Sequence, residues 1–165
     1  MNRKSTNGNK PSLAAWAMVL SFTALGAAHA MSGEADSGKP CNAKMLRGDY
    51  GIQMQGTRMT PPPNPVLESV VGVVLRSFDG YGEFTQVDNI KGSVSGIVPD
   101  RPGAGTYEVF PDCSGATYFQ PDPNNPGLVI KETFVILDNG NELRSVAESP
   151  ASLMVSSVAK RVHKR

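Results

Sequence analysis

The feature that most constrains this chain is its punctuation. Beyond residue 40, clusters of Pro, Gly, Asn and Asp separate short apolar runs, and no long segment repeats its apolar residues with a helical period. Proline cannot donate to a backbone ladder and glycine supplies the φ values of tight turns, so runs bounded in this way read as strands joined by turns. Met45 to Thr57 alternates, with Leu46, Tyr50, Ile52 and Met54 on one face and Arg47, Asp49, Gln53 and Gln55 on the other. Val66 to Phe78 is apolar on both faces around its centre, where Gly72 suggests a bend or bulge.

Tyr81 to Ser95, Thr106 to Phe110, Ala116 to Gln120, Leu128 to Leu137, Glu142 to Glu148 and Leu153 to Val162 complete a set of about eight strands. Asp79-Gly80, the Pro111 to Gly115 segment and Asn139-Gly140 mark tight hairpins, while Pro61 to Pro65 and Pro121 to Gly127 mark longer loops. Strands joined by short turns pair as an antiparallel meander, and about eight of them can close and remove both exposed edges. The expected fold is all-β, an antiparallel up-and-down barrel, with a two-sheet β-sandwich as the alternative.

The first thirty residues carry another signal. Arg3, Lys4 and Lys10 precede an uncharged apolar run from Leu13 to Ala27, and Ala28-His29-Ala30 has the small-x-small pattern of a signal-peptidase site. The run is shorter than the roughly 20 residues of a membrane-spanning helix. Cleavage after Ala30 is expected, which makes the protein exported, periplasmic or secreted. A flexible leader over residues 31–40, one barrel domain over 41–162 and a basic tail over 163–165 would follow. The 135 residues beyond Ala30 hold 13 Lys and Arg against 15 Asp and Glu, too balanced a charge to steer nucleic acid. No nucleic-acid partner and no stable membrane anchor after cleavage are expected, and the composition carries no signature of a particular oligomeric state.

Cys41 and Cys113 are the two cysteines. In an oxidising compartment they are expected to form a disulfide, which the chain-entropy account values at roughly 4 kcal/mol for so long a loop. Removal of the signal also takes away Trp16 and His29, leaving His163 in the basic tail as the one remaining histidine. Catalytic triads need an imidazole held inside a folded pocket, and zinc, copper or non-haem iron sites draw on histidine or thiolate. No catalytic residue, metal or cofactor is therefore assigned.

Glu68, Glu83, Glu108 and Glu132 fall within strands, where one or two turned inward would offer acid–base chemistry alongside Tyr50, Tyr107 or Tyr118. Asp79, Asp88, Asp112, Asp122 and Asp138 fall at turns, where they suit backbone capping, and Gly80-Tyr81-Gly82 and Gly103-Ala104-Gly105 read as turn glycines. Tyr50, Ile52, Met54, Phe84, Tyr107, Phe119 and Phe134 are the candidate ligand-contacting residues of the barrel interior. Val71, Val73, Leu75, Val109 and Ile136 join them as inward-facing candidates, depending on register. If side chains fill the interior it is only a core; if they leave a cavity, it is a site for one small apolar or amphipathic ligand. Met54, Met59 and the Pro61 to Pro65 loop are expected at one rim.

Three segments carry a resemblance. Leu46-Arg47-Gly48-Asp49-Tyr50-Gly51, Phe78-Asp79-Gly80-Tyr81-Gly82-Glu83-Phe84 and the stretch from Gly105 to Gly115 resemble, in this order, a group of small exported bacterial proteins of uncharacterised function. That resemblance spans most of residues 41–148 and implies a small β-barrel and an exported location, with no activity attached. A weaker likeness is to the lipocalins, whose first strand carries G-x-W and whose last carries a basic residue over that ring. Gly48-Asp49-Tyr50 and Arg161 would stand in here, with tyrosine in place of tryptophan. The barrel is accordingly expected to be of the lipocalin-like or a related small-barrel kind. The leading functional expectation is an exported, non-catalytic barrel that binds a small hydrophobic or amphipathic ligand. The alternatives are a structural or envelope-interaction module and a cyclase- or isomerase-like enzyme using a strand Glu.

Overall fold

The structure, a computed structural model, describes residues 39–60, 62–122 and 124–162. The expected signal peptide with its cleavage point, most of the leader, and the tail from His163 lie outside the described residues. Eight strands run β1 (Gly48–Met59), β2 (Leu67–Phe78), β3 (Glu83–Gly92), β4 (Gly96–Val109), β5 (Ser114–Gln120), β6 (Ile130–Leu137), β7 (Glu142–Ser149) and β8 (Leu153–Arg161). Each pairs antiparallel with the next, and β8 returns to pair with β1 from Tyr50↔Arg161 to Arg58↔Leu153. The result is a closed up-and-down barrel and not a sandwich.

One end is a floor. Met45 to Arg47, expected as the start of β1, instead belongs to a short 3-10 helix over Ala43–Leu46 and its cap. The Asn42 side chain accepts a hydrogen bond from the Lys44 amide, which satisfies a donor at the helix start and favours the turn over the strand. The turn carries Leu46, fully buried, into the base of the barrel. The Cys41–Cys113 disulfide, with Cα atoms 5.0 Å apart, and a Cys41 amide to Pro111 carbonyl bond tie this plug to the β4–β5 turn. The opposite end carries the β1–β2, β3–β4, β5–β6 and β7–β8 connections.

Alternation holds on β1, where Tyr50 and Ile52 are buried and Gly51, Gln53 and Gln55 are exposed. On β2 the expected assignment is reversed: Val71, Val73 and Leu75 point outward, 52–60 % exposed, while Val70 and Val74 point in. A run apolar on both faces has no readable parity. Its parity is set by Glu68 and Arg76, which share a face with Val70 and Val74 and find ionic partners inside the barrel. Val109 and Ile136 do pack against the core cluster.

Gly72 makes no bulge, because the β1–β2 and β2–β3 registers run through it unbroken. A Cβ there would collide with the Ile90 side chain, so the glycine serves close packing. Gly103 and Gly105 are likewise not turn residues; they lie in β4, where a Cβ would strike the Phe119 or Phe84 ring. β4 begins ten residues before the expected Thr106 and contains Pro99 and Pro102. It pairs with β5 only from Ala104 onward, so both prolines occupy a stretch with an edge, where a strand tolerates them.

Candidate functional site

The interior is divided into two unlike halves. Next to the floor, Tyr50, Phe78, Phe84, Tyr107 and Phe134 are all buried, and Phe78 meets Tyr50 and Tyr107 edge-on with ring centres 5.4 and 4.8 Å apart. The Tyr107 hydroxyl donates to the Ala43 carbonyl at 3.1 Å, and the Tyr50 hydroxyl donates to the Gly140 carbonyl. Burial pushes the Tyr50 phenol up to about 12, against the nearby Arg161 charge that pulls it down. Both hydroxyls are therefore neutral donors fixed to the backbone.

Above the rings lies a charged layer. β2 contributes Glu68 and Arg76, β3 Gln86 and Asp88, β4 Arg101, β5 Thr117, β6 Glu132 and β1 Arg58, all on inward positions of their strands. The Arg76 guanidinium sits 4.4 Å from the centre of the Phe84 ring, where aromatic floor and ionic layer meet. It donates to Gln86 Oε1 at 2.8 Å and to Glu132 Oε2 at 2.9 Å. Thr117 Oγ1 donates to the same Glu132 oxygen at 2.9 Å. Burial raises the Glu132 pKa, but the Arg76 charge and the bonds from Arg76 and Thr117 outweigh it and hold the carboxyl below its ordinary value.

Arg101 grips Asp88 with two parallel bonds of 3.0 Å, and the Gln86 amide donates to Asp88 at 3.2 Å. Nearer the loops, Arg58 bonds Glu68 at 2.8 Å. Glu68 also accepts the Val94 and Ser95 amides, so it caps the β3–β4 turn from within. The Ser95 amide and then the Arg58 guanidinium pull its pKa down to about 2. No buried side-chain polar atom among the described residues lacks a partner.

A cavity of about 70 Å³ remains among these charged side chains. Ile52, Val74, Ile90, Phe119 and Val155 supply apolar walls, and Arg76, Gln86, Asp88, Arg101 and Glu132 supply polar ones. The sequence candidates divide accordingly. Ile52, Met54 and Phe119 line the cavity, whereas Tyr50, Phe84, Tyr107 and Phe134 belong to the packed floor cluster. Met54 sits within the barrel wall and not at the rim, where Met59 and the loop after it stand.

Of the strand glutamates, Glu68 and Glu132 turn inward, while Glu83 and Glu108 are exposed and Glu108 accepts from the equally outward Tyr118 at 2.8 Å. Asp79, Asp112 and Asp122 cap turn amides, but Asp88, expected at a turn, is an interior strand residue bonded to Arg101. The sequence reading missed Arg58, Arg76, Gln86, Asp88 and Arg101. The available signal was the shared parity of Phe84, Gln86, Asp88 and Ile90, which places polar groups on the same face as the bulkiest apolar ones.

Among the described residues no cluster of three or more His, Cys, Asp or Glu is arranged to hold a metal, and no helix is long and apolar enough to cross a membrane. No protein-family model matches the chain, and neither a curated protein nor a solved structure matches it.

Proposed function

We propose that this protein is an exported, non-catalytic barrel that takes one small amphipathic molecule into the half of its interior above the aromatic floor. The observation that carries the reading is the ring of inward charges around the cavity. Buried ion pairs contribute little net stability, and an aliphatic filling of equal volume would serve a purely structural barrel as well or better. Three arginines facing three carboxylates and Gln86 beside apolar walls instead supply what a binding pocket needs, a greasy surface with a few convergent polar groups. The Cys41–Cys113 disulfide is compatible with export.

The cavity is smaller than the roughly 300 Å³ at which ordinary ligand pockets begin. A molecule of a few heavy atoms fits it as it stands. A longer one enters by displacing Arg58 or Arg101, whose side chains are 24 % and 30 % exposed against 8 % for Arg76. Catalysis by a strand glutamate has less support. A proton donor at neutral pH needs a raised pKa, and Glu68 and Glu132 are both lowered.

Native mass spectrometry of protein purified from its own compartment tests the reading, with Ala147→Phe as the comparison because Ala147 lines the cavity without joining the ion pairs. The expected result is a copurifying small molecule on the wild type that is lost from a folded Ala147→Phe protein. A wild type that carries nothing under gentle conditions, or a ligand retained by the variant, overturns it.

A further inference from the structure

On the outer wall formed by β8, β1, β2 and β3, Val71, Val73 and Leu75 stand in a row along β2, with Val87 beside them on β3. Across β1, Val158 is aligned through Gln53 with Val73, and Lys160 through Gly51 with Leu75. These five aliphatic residues are 38–60 % exposed, and Leu67 and Met154 extend the apolar surface towards the loop end. Gly51 has no side chain, so the wall sinks between Leu75 and Lys160, within a shallow depression of about 740 Å³ that Gln53, Val73 and Val158 also line. The exposed area of the five is on the order of 400 Å², the size of patch that on a monomer is often functional.

We propose that this wall is the interface between two copies of the chain, related by a twofold axis that runs along the strands between β1 and β2. Under that axis the β2 row of each copy lies over β1 of the other, with Leu75 over the gap at Gly51 and Val73 and Val71 over the aliphatic stems of Gln53 and Gln55. The charges agree with a protein surface of the same kind as partner. The centre of the patch has none, and at its margins Lys91 and Lys160 are balanced by Asp49 and Glu142, with Lys160 Nζ already 3.7 Å from Glu142.

Gln53 and Gln55 lie within the patch and Asn89 at its side, and with them, Leu67 and Met154 the surface approaches the roughly 800 Å² that each partner contributes to a standard interface. A lipid-embedded barrel would need an apolar belt all round. Here the outward positions of β4 to β7 interleave Glu108, Lys131, Arg144 and Glu148 with Val135, Leu137 and Val146, so the apolar residues form no continuous belt.

Gly51 provides the test. A Cβ on it meets only Val162 Cγ2, at 3.7 Å, so Gly51→Glu puts a charge into the depression without disturbing the barrel. Light scattering coupled to size exclusion, over the micromolar range, should give twice the chain mass for the wild type. Gly51→Glu and Val73→Glu should each give the mass of one chain, with an unchanged far-ultraviolet spectrum and an intact disulfide. A wild type that stays monomeric throughout that range overturns the proposal, as does a Gly51→Glu protein that remains dimeric. A monomeric wild type that floats with anionic phospholipid vesicles overturns it too, and assigns the wall to a lipid surface.

Discussion

The Arg161 guanidinium lies 4.8 Å from the centre of the Tyr50 ring, at the register position where the last strand meets the start of the first. It also donates to the Arg47 carbonyl at 2.5 Å, the Met45 carbonyl at 2.6 Å and the Gly140 carbonyl at 2.9 Å. The Tyr50 hydroxyl donates to the same Gly140 carbonyl. One cation thus joins the floor plug, the β1–β8 seam that closes the barrel, and the β6–β7 connection.

Arg161→Ala removes the donors of three carbonyls and the cover of a buried ring, and should lower stability by about 2–3 kcal/mol. Arg161→Lys keeps the charge but not the planar fork, so it should restore less than half of that loss. Urea unfolding followed by circular dichroism measures both. An unchanged midpoint for Arg161→Ala would show that the contact is decorative.

The Arg76–Glu132 pair should behave asymmetrically. Glu132→Gln leaves Arg76 buried without its counter-charge and should cost about 3–5 kcal/mol, whereas Arg76→Met with Glu132→Leu should come within about 2 kcal/mol of the wild type. The double variant should nevertheless lose any ligand that the wild type carries, which separates the role of the layer in binding from its role in folding. A double variant as unstable as Glu132→Gln contradicts this.

Glu68 predicts a pH window. Its folded pKa, about 2, lies below the ordinary 4.5, so its ionised form is favoured by folding. The stability it adds is full above about pH 4.5 and is lost as the pH falls through about 2. Thermal midpoints of the wild type and Glu68→Gln should differ most near neutrality and converge across that window. A gap that is constant with pH would mean that the Val94, Ser95 and Arg58 contacts do not depend on charge.

The disulfide spans 72 residues and ties the floor plug to the β4–β5 turn. Thiol labelling of the denatured, unreduced protein should fail, and Cys41→Ser with Cys113→Ser should lose roughly 4 kcal/mol. Efficient labelling at both positions contradicts the pairing. The exported protein should begin at Met31, which N-terminal sequencing checks; a start at Met1 removes the export reading.

Most strand positions and hairpin turns were legible because they depend on local chemistry, and the pairing of the cysteines because the chain has only two. Asp79-Gly80 turns the β2–β3 hairpin, with the Asp79 carboxylate accepting the Tyr81, Gly82 and Glu83 amides, and any chain with that dipeptide between two extended runs tends to do the same. β4 was misread because two prolines and three glycines signal a loop when nothing says that β5 leaves half of the strand unpaired. The 3-10 turn at Ala43–Leu46 was hidden for a similar reason, since Leu46 has the same parity as Tyr50, Ile52 and Met54 and so continues the apolar face of β1.

The sequence by itself determined that the chain is a set of short antiparallel strands, because turn residues and period-2 patterns act within a few residues of each other, and its two cysteines had only each other as partners. Only the tertiary structure decided which face of β2 looks inward. Val70 to Val74 is equally apolar on both sides, so the choice falls to Glu68 and Arg76, and their partners Arg58, Ser95, Gln86 and Glu132 come from three other strands and a turn. That decision put a layer of ion pairs inside the barrel and a row of valines outside it. Closure completes it: Arg58 and Glu68 already face each other on neighbouring strands, whereas Arg76 of β2 and Glu132 of β6 come within hydrogen-bonding distance only once the sheet has curled into a barrel.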